Sequence, residues 1–434
     1  MTYKNLIVAL ASFAVVAGCS SDELILPGER ESLRGEETAL VFANETRPIK
    51  LAAAVRNANW THRIGSPSYR IANARLSAAP QRVWSNGIGQ AAGARQRITT
   101  DPVVAEGLIY TMDSGARISA TSTSGQTAWS VDLTPPRDES KEASGGGIAY
   151  GGGTLFVTNG FGLLVAMDPK TGKTLWQQEL NAVGSGTPTY FDGLVYLVSG
   201  NDTAWAVDAK TGRVKWQSNG LPDVNNLQTP SAPAVTKRLA VFAFGSGELQ
   251  GVFRKGGVRL WTDGISGERI GRAINLVSDI SGDPVIVGKT VYAANHSGRL
   301  VAVNLDSGKR LWTAEEGSLS PVWPAGGSLF LVSDQNKLVR LDARDGTRIW
   351  AIDLPLFIHA RPTRQAALHV HYGPILAGGQ LRVASSDGLL RSYDPASGAL
   401  LSTAEIPGGA TSNPVVAGGT LYVVGAKGEL HAFR

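Results

Sequence analysis

Short apolar segments separated by glycine-containing turns recur along most of the chain. Segments such as "DPVVAEGLIYTMD", "GDPVIVGKTVYAAN" and "SNPVVAGGTLYVVGAKG" share one pattern, in which proline opens an apolar strand and a turn leads into a second strand rich in β-branched and aromatic residues. A third strand such as "LLVAMD" follows, and a further turn leads to a fourth that ends near a tryptophan. The spacing shows no helical period here. The pattern therefore predicts repeated units of four antiparallel strands.

A glycine four residues before a tryptophan marks the fourth strand of each unit. The pairs are Gly125/Trp129, Gly172/Trp176, Gly212/Trp216, Gly257/Trp261, Gly308/Trp312 and Gly346/Trp350, with Gly398 and Ser402 at the same offset. Successive tryptophans lie roughly 40 to 50 residues apart, which is the period of a four-stranded propeller blade. Seven complete units run from Asp101 to about Ile406, and an eighth stops at Arg434 after its third strand.

A strand near the start of the chain can complete the eighth unit. The segment "QRVWSNGIG" carries Trp84 forty-five residues before Trp129. An N-terminal strand in the last blade would close the ring and leave no open edge. We therefore predict an all-β, eight-bladed β-propeller of four-stranded antiparallel blades, in which Trp84 lies beside the C-terminal strands.

The turn before each tryptophan has a structural explanation. In "DPKTGKTLW", Asp168 can accept backbone N–H bonds, Pro169 presets φ, and Gly172 can take the left-handed conformation of a bulged hairpin. Trp176 then fills the space between adjacent sheets, where an aromatic side chain buries about 150 to 250 Å². A phosphate-binding loop is excluded because Met167 stands where such a loop requires glycine.

The N-terminus predicts export and lipidation. One lysine, an apolar run from Leu6 to Val16 and small residues before Cys19 are typical of a secretory signal peptide, and the run is too short to span a membrane. The sequence "VAGC" resembles a bacterial lipobox; the alternative is an ordinary cleavage site followed by a chance cysteine. We expect a signal peptide over residues 1–18, a lipid on Cys19, a flexible tether over residues 19–57 with mixed charges and no sustained period, and the propeller over residues 58–434.

Composition excludes some functions. The net charge of +5 is small for 434 residues and no basic stripe is present, which argues against nucleic acid as a partner. Cys19 is the only cysteine, so the exported protein forms no internal disulfide and must be stabilised by packing.

Three insertions and one altered turn depart from the repeat. The insertions are "LPDVNNLQTPSAP" before blade four, "TDGISGERIGRAINLVSD" after it and "LPLFIHARPTRQAALHVHYGP" between blades six and seven, and Phe253 replaces the usual aspartate in blade four. Insertions of this kind lie on one face of a repeat fold and either bind partners or are tolerated surface loops.

Candidate catalytic and metal chemistry is weak. His359, His369 and His371 share one insertion, but no cysteine accompanies them. We therefore predict no catalytic residues, no metal and no cofactor.

The repeats resemble the PQQ-type propeller repeat of quinoprotein dehydrogenases and their non-enzymatic relatives. Together with the lipobox and the closing strand, they resemble the BamB family, lipoproteins of the machinery that inserts β-barrels into the outer membrane. "NANWTHRIGSPSYR" and "HYGPILAGGQLRVASSDGLLRSYDP" are similar to its alphaproteobacterial members. The resemblance implies a non-enzymatic scaffold anchored by its lipid at the periplasmic face of the outer membrane.

The resemblance also implies partners and a binding site. In the family, a POTRA domain of BamA docks on loops of neighbouring blades; other subunits of the machinery and unfolded outer-membrane proteins are further partners. Leu227 matches an apolar family contact, and Gln228 stands where the family has arginine. Asp279 matches the first family acidic residue, whereas Ser281 replaces the second and Asp283 is a nearby substitute.

Two other functions remain open from the sequence. A PQQ-dependent dehydrogenase would resemble enzymes that use a vicinal cysteine pair over the cofactor and an acidic base beside Ca²⁺, yet no cysteine follows Cys19. A periplasmic ligand-binding or sensor propeller is also compatible, because a fold does not determine a function.

Overall fold

Thirty-two β-strands form eight separate four-stranded antiparallel sheets. The computed structural model describes residues 43–67, 71–221, 231–265, 279–361 and 365–434. Residues Ala43–Arg434 belong to one compact unit. In these described ranges every regular element is a strand, and none forms a helix long and apolar enough to cross a membrane.

The strands follow the predicted repeat. The first, β1 (Arg82–Gly87), belongs to the last blade. Blades one to four are β2 (Val103–Ala105), β3 (Leu108–Met112), β4 (Arg117–Ser122), β5 (Thr127–Asp132); β6 (Gly146–Gly151), β7 (Thr154–Asn159), β8 (Leu163–Met167), β9 (Thr174–Glu179); β10 (Thr189–Phe191), β11 (Leu194–Ser199), β12 (Thr203–Asp208), β13 (Val214–Asn219); and β14 (Ala234–Val235), β15 (Leu239–Ala243), β16 (Glu248–Phe253), β17 (Arg259–Gly264). Blades five to eight are β18 (Gly282–Val287), β19 (Thr290–Ala294), β20 (Leu300–Asn304), β21 (Arg310–Ala314); β22 (Trp323–Ala325), β23 (Ser328–Val332), β24 (Lys337–Asp342), β25 (Arg348–Asp353); β26 (His371–Ala377), β27 (Gln380–Ser385), β28 (Leu389–Tyr393), β29 (Leu400–Glu405); and β30 (Val415–Ala417), β31 (Thr420–Gly425), β32 (Glu429–Phe433) with β1.

The blades stand side by side around an axis, as predicted for a propeller. The first strands of successive blades contact one another, for example β2 with β6 and β10 with β14, and are therefore the innermost strands. The hydrophobic clusters combine residues of adjacent blades, so the core lies between the sheets. Fourth strands such as β9 alternate exposed and half-buried residues because they form the outer rim.

Each blade has two ends. The turns from first to second strand and from third to fourth strand lie at one end, which we call the turn face. The turns from second to third strand and the links between blades lie at the other end, which we call the connection face. All three predicted insertions fall between blades in the chain, and the strand ends that flank them lie on the connection face.

The ring closes as predicted. Strand β1 pairs antiparallel with β32, and Trp84 lies opposite Ala432. Beyond this pairing, the backbone N–H of Gln81 donates to the carbonyl of Arg434 at 2.6 Å, and the reverse bond is 2.9 Å long. The eighth blade therefore joins both ends of the propeller sequence in one sheet, which removes the open edge.

The repeated motif joins neighbouring blades. The Asp168 carboxylate accepts hydrogen bonds from the backbone N–H groups of Lys170 and Thr171, both 2.9 Å, as predicted for the turn. Trp176 packs against Gly212 of the next blade, where an added Cβ would lie 2.8 Å from the indole ring. The Trp176 indole N–H also donates to the carbonyl of Ala209 at 3.0 Å. The contact recurs in Trp84/Gly125, Trp129/Gly172, Trp216/Gly257, Trp261/Gly308 and Trp312/Gly346, while Ile352 joins Trp350 at Gly398.

The motif tryptophan is missing where it would have no partner. Ser402 occupies the tryptophan position of blade seven. The next blade receives its fourth strand from β1, so it contains no turn glycine against which a tryptophan could pack. In blade four, the turn is preserved at Phe253 because the Phe253 backbone carbonyl accepts the Gly257 N–H at 2.8 Å. The Phe253 ring instead lies 5.3 Å from the Arg238 guanidinium.

An irregular N-terminal segment crosses the inner strands of the ring. We call residues 55–78 the strap; its residues 68–70 lie outside the described part. Its residues form hydrogen bonds with blades eight, one, two, three, four and seven in chain order. The pairs are Asn57 with Gly418, Trp60 with Val104, Thr61 with Tyr150, His62 with Tyr190, Pro67 with Val235 and Ala74 with Gly378. Residues 43–54, in the segment predicted as tether, also contact the ring, since the Asn44 side chain bonds the backbone of Ala351.

Candidate functional site

Two of the insertions meet at their bases on the connection face. They link blade three to blade four and blade four to blade five, and we call them the first and second connection. Ser231 Oγ in the first donates to the carbonyl of Ile280 in the second at 2.6 Å. The backbone N–H of Ala232 donates to the Asp283 carboxylate at 2.8 Å. The two segments predicted to bind a partner are therefore joined where they enter β14 and β18.

The predicted site residues occupy different environments. Leu227 and Gln228 lie outside the described residues. Asp279 precedes β18 and is 4% exposed, next to Ile280, which packs in the core shared by blades four and five. Asp283 lies within β18, is 1% exposed, and points its carboxylate at the first connection and at the strap.

A buried arginine of the strap reaches the same carboxylate. Arg63 Nη1 lies 3.3 Å from Asp283 Oδ1, and Arg63 Nε lies 3.0 Å from Asp101 Oδ2. Burial by itself lowers the pKa of Arg63, but the Asp283 and Asp101 carboxylates outweigh it and raise the pKa above its usual range. Arg63 is therefore a cation held between two buried carboxylates on the ring axis.

A hydrogen-bond network extends this ion pair around the axis. Asn413 donates its backbone N–H and its side-chain N–H to Asp101 at 2.7 and 2.8 Å. The side-chain oxygen Oδ1 of Asn413 accepts from Ser320 Oγ at 3.0 Å and from the Gly373 N–H at 2.8 Å. These residues lie at the starts of the innermost strands of blades one, six, seven and eight, so one network joins them to blade five through Arg63.

The sequence contains a signal for this network that was missed. Its members Asp101, Asp283, Ser320, Gly373 and Asn413 each directly precede a proline. Because proline opens the innermost strand of a blade, the residue before it lies at the axis on the connection side. Once the fold is known, a polar residue directly before the first-strand proline of a repeat can therefore be identified as a residue at the axis.

Aromatic side chains of the strap fill the axis beside Arg63. Trp60 is 1% exposed and stacks on Trp323 with ring centroids 6.1 Å apart. His62 Nε2 lies 3.1 Å from the backbone N and O of Tyr190. Burial lowers the pKa of His62 to about 4, so its imidazole is neutral at physiological pH.

Two cavities differ in position and size. The one between Trp60, Arg63 and the axial prolines has a volume of about 10 Å³, room for about one water. The other, about 520 Å³, opens on the turn face between blades four, five and six. Its described lining includes Ile286, Tyr292 and Pro324 but no charged side chain, so it lacks the charged groups that often orient a small ligand.

The described parts of the histidine-containing insertion are held by backbone and side-chain hydrogen bonds. Phe357 pairs with Leu368, and the carbonyl of Leu356 accepts the His369 N–H at 2.9 Å. His371 is buried, with Nδ1 2.7 Å from Ser385 Oγ and Nε2 2.8 Å from the Pro355 carbonyl; burial lowers its pKa. Within the described ranges, no three His, Cys, Asp or Glu residues are grouped so as to hold a metal ion.

The ring, its closing strand and its motif contacts define a β-propeller assembled from eight PQQ-type repeats. A family model described as "Outer membrane protein assembly factor BamB" matches residues 114–352 and 361–434. The outer membrane protein assembly factor BamB of Escherichia coli (strain K12) is 31% identical over 360 residues, covering 81% of this chain and 88% of the relative. The chain belongs to the BamB family of outer membrane protein assembly factors.

Solved structures share the fold at lower identity. BamB from Moraxella catarrhalis superposes with a TM-score of 0.67 and 19% identity, covering 82% of this chain and 100% of that structure. Quinohemoprotein alcohol dehydrogenase from Comamonas testosteroni superposes with a TM-score of 0.66 and 15% identity, covering 88% and 81%. The propeller is therefore common to assembly factors and quinoprotein enzymes.

Among the described residues, the side chains at the axis do not fit a quinone cofactor. A propeller surrounds a central channel, and small-molecule pockets usually measure about 300 to 1,000 Å³. Here Trp60, His62 and Arg63 are buried in the described part of that channel, and the cavity lined by Trp60, Arg63 and the axial prolines measures about 10 Å³. Cys19 is the only cysteine, so the vicinal pair implied by the dehydrogenase resemblance has no counterpart.

Proposed function

We propose that this chain is a non-enzymatic scaffold subunit of the β-barrel assembly machinery. In this role it binds a POTRA domain of BamA and assists the folding and insertion of β-barrel proteins into the outer membrane. A lipid on Cys19 holds it at the periplasmic face. Membership of the BamB family supports the role, and the filled axis supports a function without a quinone cofactor.

The observation that carries the binding site is the junction of the two connections. The bonds from Ser231 to Ile280 and from Ala232 to Asp283 hold their bases together. The bases of two segments that are far apart in sequence are thereby held together on the connection face. A surface built on both bases suits a folded partner domain, because a single loop presents too little area for a stable interface.

The four predicted residues have different roles in this proposal. Leu227 and Gln228 in the first connection contact the partner, and Asp279 supplies the acidic group at the base of the second. Asp283 is almost fully buried and supports the first connection from inside through Ala232. The interface is thus mainly apolar with one acidic contact, and a few anchors provide most of its affinity.

Substitution of the contact residues tests the site. We expect Asp279→Ala and Leu227→Ala each to weaken binding of purified BamA POTRA domains to the full mature chain about fivefold or more, equivalent to about 1 kcal/mol. Val183→Ala is the matched control, because Val183 is 80% exposed on the connection face but lies between blades two and three. Unchanged affinity in both test variants, with native circular dichroism spectra, would refute the assignment.

Purification of the lipidated chain from its own membranes tests the wider role. We expect BamA and other subunits of the assembly machinery to co-purify. A preparation without BamA would instead favour the ligand-binding propeller.

A further inference from the structure

The insertion between blades six and seven presents a group of exposed apolar side chains. Phe357, Ile358, Leu368 and Val370 are 36%, 49%, 49% and 38% exposed. They belong to residues 355–361 and 365–370, which we call the paired segments; residues 362–364 lie outside the described part and form no part of this surface. Single apolar residues are normal on a protein surface, whereas several in one insertion mark a place where another molecule binds.

Hydrogen bonds from both neighbouring blades hold the paired segments on the connection face. The two segments pair with each other in antiparallel fashion. The Asn336 side chain of blade six donates to the His369 carbonyl at 2.8 Å. In blade seven, Ser386 Oγ accepts the Val370 N–H at 2.9 Å, and the Ser386 N–H donates to the Val370 carbonyl at 2.8 Å. A surface that is already ordered in this way loses little conformational entropy when it binds.

The first described residues of the chain run along the outer edge of the same blade. The Asn44 side chain accepts the Ala351 N–H at 2.9 Å and donates to the Ala351 carbonyl at 3.1 Å, and the Glu45 N–H donates to the Ile349 carbonyl at 3.0 Å. This segment therefore runs antiparallel to β25, which ends at Asp353 on the connection face. The chain before Asn44 consequently enters the fold at the end of β25 where the paired segments begin.

This point of entry matters because the predicted lipid lies upstream of it. Ala43 follows Cys19 by twenty-four residues, and a chain of that length reaches at most about 80 Å. An anchor at Cys19 pulls on the propeller where the chain joins it. The outer edge of blade six on the connection face is therefore the part of the ring held closest to the bilayer.

We propose that the paired segments rest on the phospholipid surface to which the chain is anchored. The four exposed apolar side chains lie at the boundary between headgroups and acyl chains, and the exposed Arg361 lies among acidic headgroups. Apolar side chains next to a cation suit the interface of an anionic bilayer. The inference rests on the proposed lipid at Cys19 but not on the proposed BamA site. The contact limits rotation about the anchor and turns the connection face of blades six and seven toward the membrane.

A single fluorescent label tests this contact. Cys19→Ala removes the only cysteine, so one introduced cysteine reports one place in the full mature chain. An N-terminal histidine tag and a nickel-chelating lipid replace the natural anchor on vesicles of phosphatidylethanolamine and phosphatidylglycerol. Ile358→Cys carries the polarity-sensitive label NBD, and Val183→Cys is the matched control. Val183 is 80% exposed between blades two and three, on the opposite side of the eight-bladed ring.

The label at residue 358 should enter the bilayer interface and the label at residue 183 should stay in water. We expect a blue shift at residue 358 on vesicles, and quenching by acyl-chain nitroxide lipids at least about twofold stronger than at residue 183. Adding Phe357→Ser and Leu368→Ser to the Ile358→Cys chain should remove most of that quenching, whereas adding Val183→Ser should leave it unchanged. Circular dichroism spectra check that each variant keeps its fold.

The possible results distinguish the inference from the proposed function. A label at residue 358 that stays in water on tethered vesicles would overturn the inference, and would leave both the lipid and the BamA site intact. Equal quenching at residues 358 and 183 would also overturn it, because the chain would then adsorb without a preferred side. A blue shift at residue 358 in the absence of vesicles, with a doubled mass by light scattering, would assign the paired segments to a second copy of the chain instead. If the wild-type chain incorporates no labelled palmitate, the anchor is wrong and the inference fails with it.

Discussion

The contact between each motif tryptophan and the glycine of the next blade should be a main source of stability between blades. Gly212→Ala tests it, with Gly193→Ala as a control in the same blade. Both glycines have left-handed φ angles, +72° and +79°. An added Cβ at Gly212 would lie 2.8 Å from the Trp176 ring, whereas at Gly193 it would meet no atom within 4 Å. The two variants therefore share the backbone cost and differ in the contact.

The structure sets the size of the expected effect. Alanine in a left-handed conformation costs roughly 1 to 2 kcal/mol, which applies to both variants. At Gly212 the new methyl group must also displace Trp176, which forms a hydrogen bond to Ala209, and overpacking of this kind costs about 1 to 3 kcal/mol. We expect Gly212→Ala to lower the free energy of unfolding by about 2 kcal/mol more than Gly193→Ala.

Urea unfolding followed by tryptophan fluorescence measures this difference, with the denaturant slope checked for a change in mechanism. The double variant Gly212→Ala with Trp176→Leu should recover part of the loss, because the smaller side chain makes room for the methyl group. Equal losses in the two single variants would refute the reasoning, since the tryptophan contact would then contribute nothing beyond the backbone conformation.

The remaining predictions concern the buried histidine of the strap and the lipid. His62 has a pKa of about 4 in the folded chain and about 6.5 when unfolded, so the unfolded state binds more protons between these pH values and stability falls as pH drops from 6.5 to 4. The loss from this residue is about 3 kcal/mol, and His62→Gln should unfold with a correspondingly smaller pH dependence; identical pH profiles would contradict this. Cys19→Ala should abolish incorporation of labelled palmitate and release the chain from the membrane fraction. Ser20→Ala is the control and should keep both the label and the membrane attachment. Label retained in Cys19→Ala would exclude the lipobox.

The blades and their closure could be predicted because their signals are local and periodic. Asp168, Gly172 and Trp176 form a turn and an interblade contact within nine residues, and the contact repeats around the ring. The missing strand could be assigned to the segment around Trp84 because a closed ring needs a fourth strand in every blade. Ser402 departs from the motif for the same reason, since its neighbour blade has no turn glycine.

The strap and the axial network could not be predicted in the same way. In its described residues the strap makes single bridges and separate hydrogen bonds to several blades rather than a named strand, so its sequence shows no strand period. The network takes one residue from each of several blades, and their proximity exists only after the ring closes. Asp283 is an example: the family resemblance suggests it as a substitute partner contact, and in the structure its carboxylate bonds Arg63 and Ala232.

The axis also changes how distant parts of this propeller affect one another. In a repeat fold each unit contacts mainly its neighbours, so a change in one blade is expected to stay local. Here Arg63 bonds blades one and five, and Asn413 connects blade one to blades six, seven and eight. A perturbation at the base of the first connection therefore has a direct route through Asp283 and Arg63 to the blade closed by β1. The described bases of both connections are consequently linked to ring closure through buried side chains at the axis.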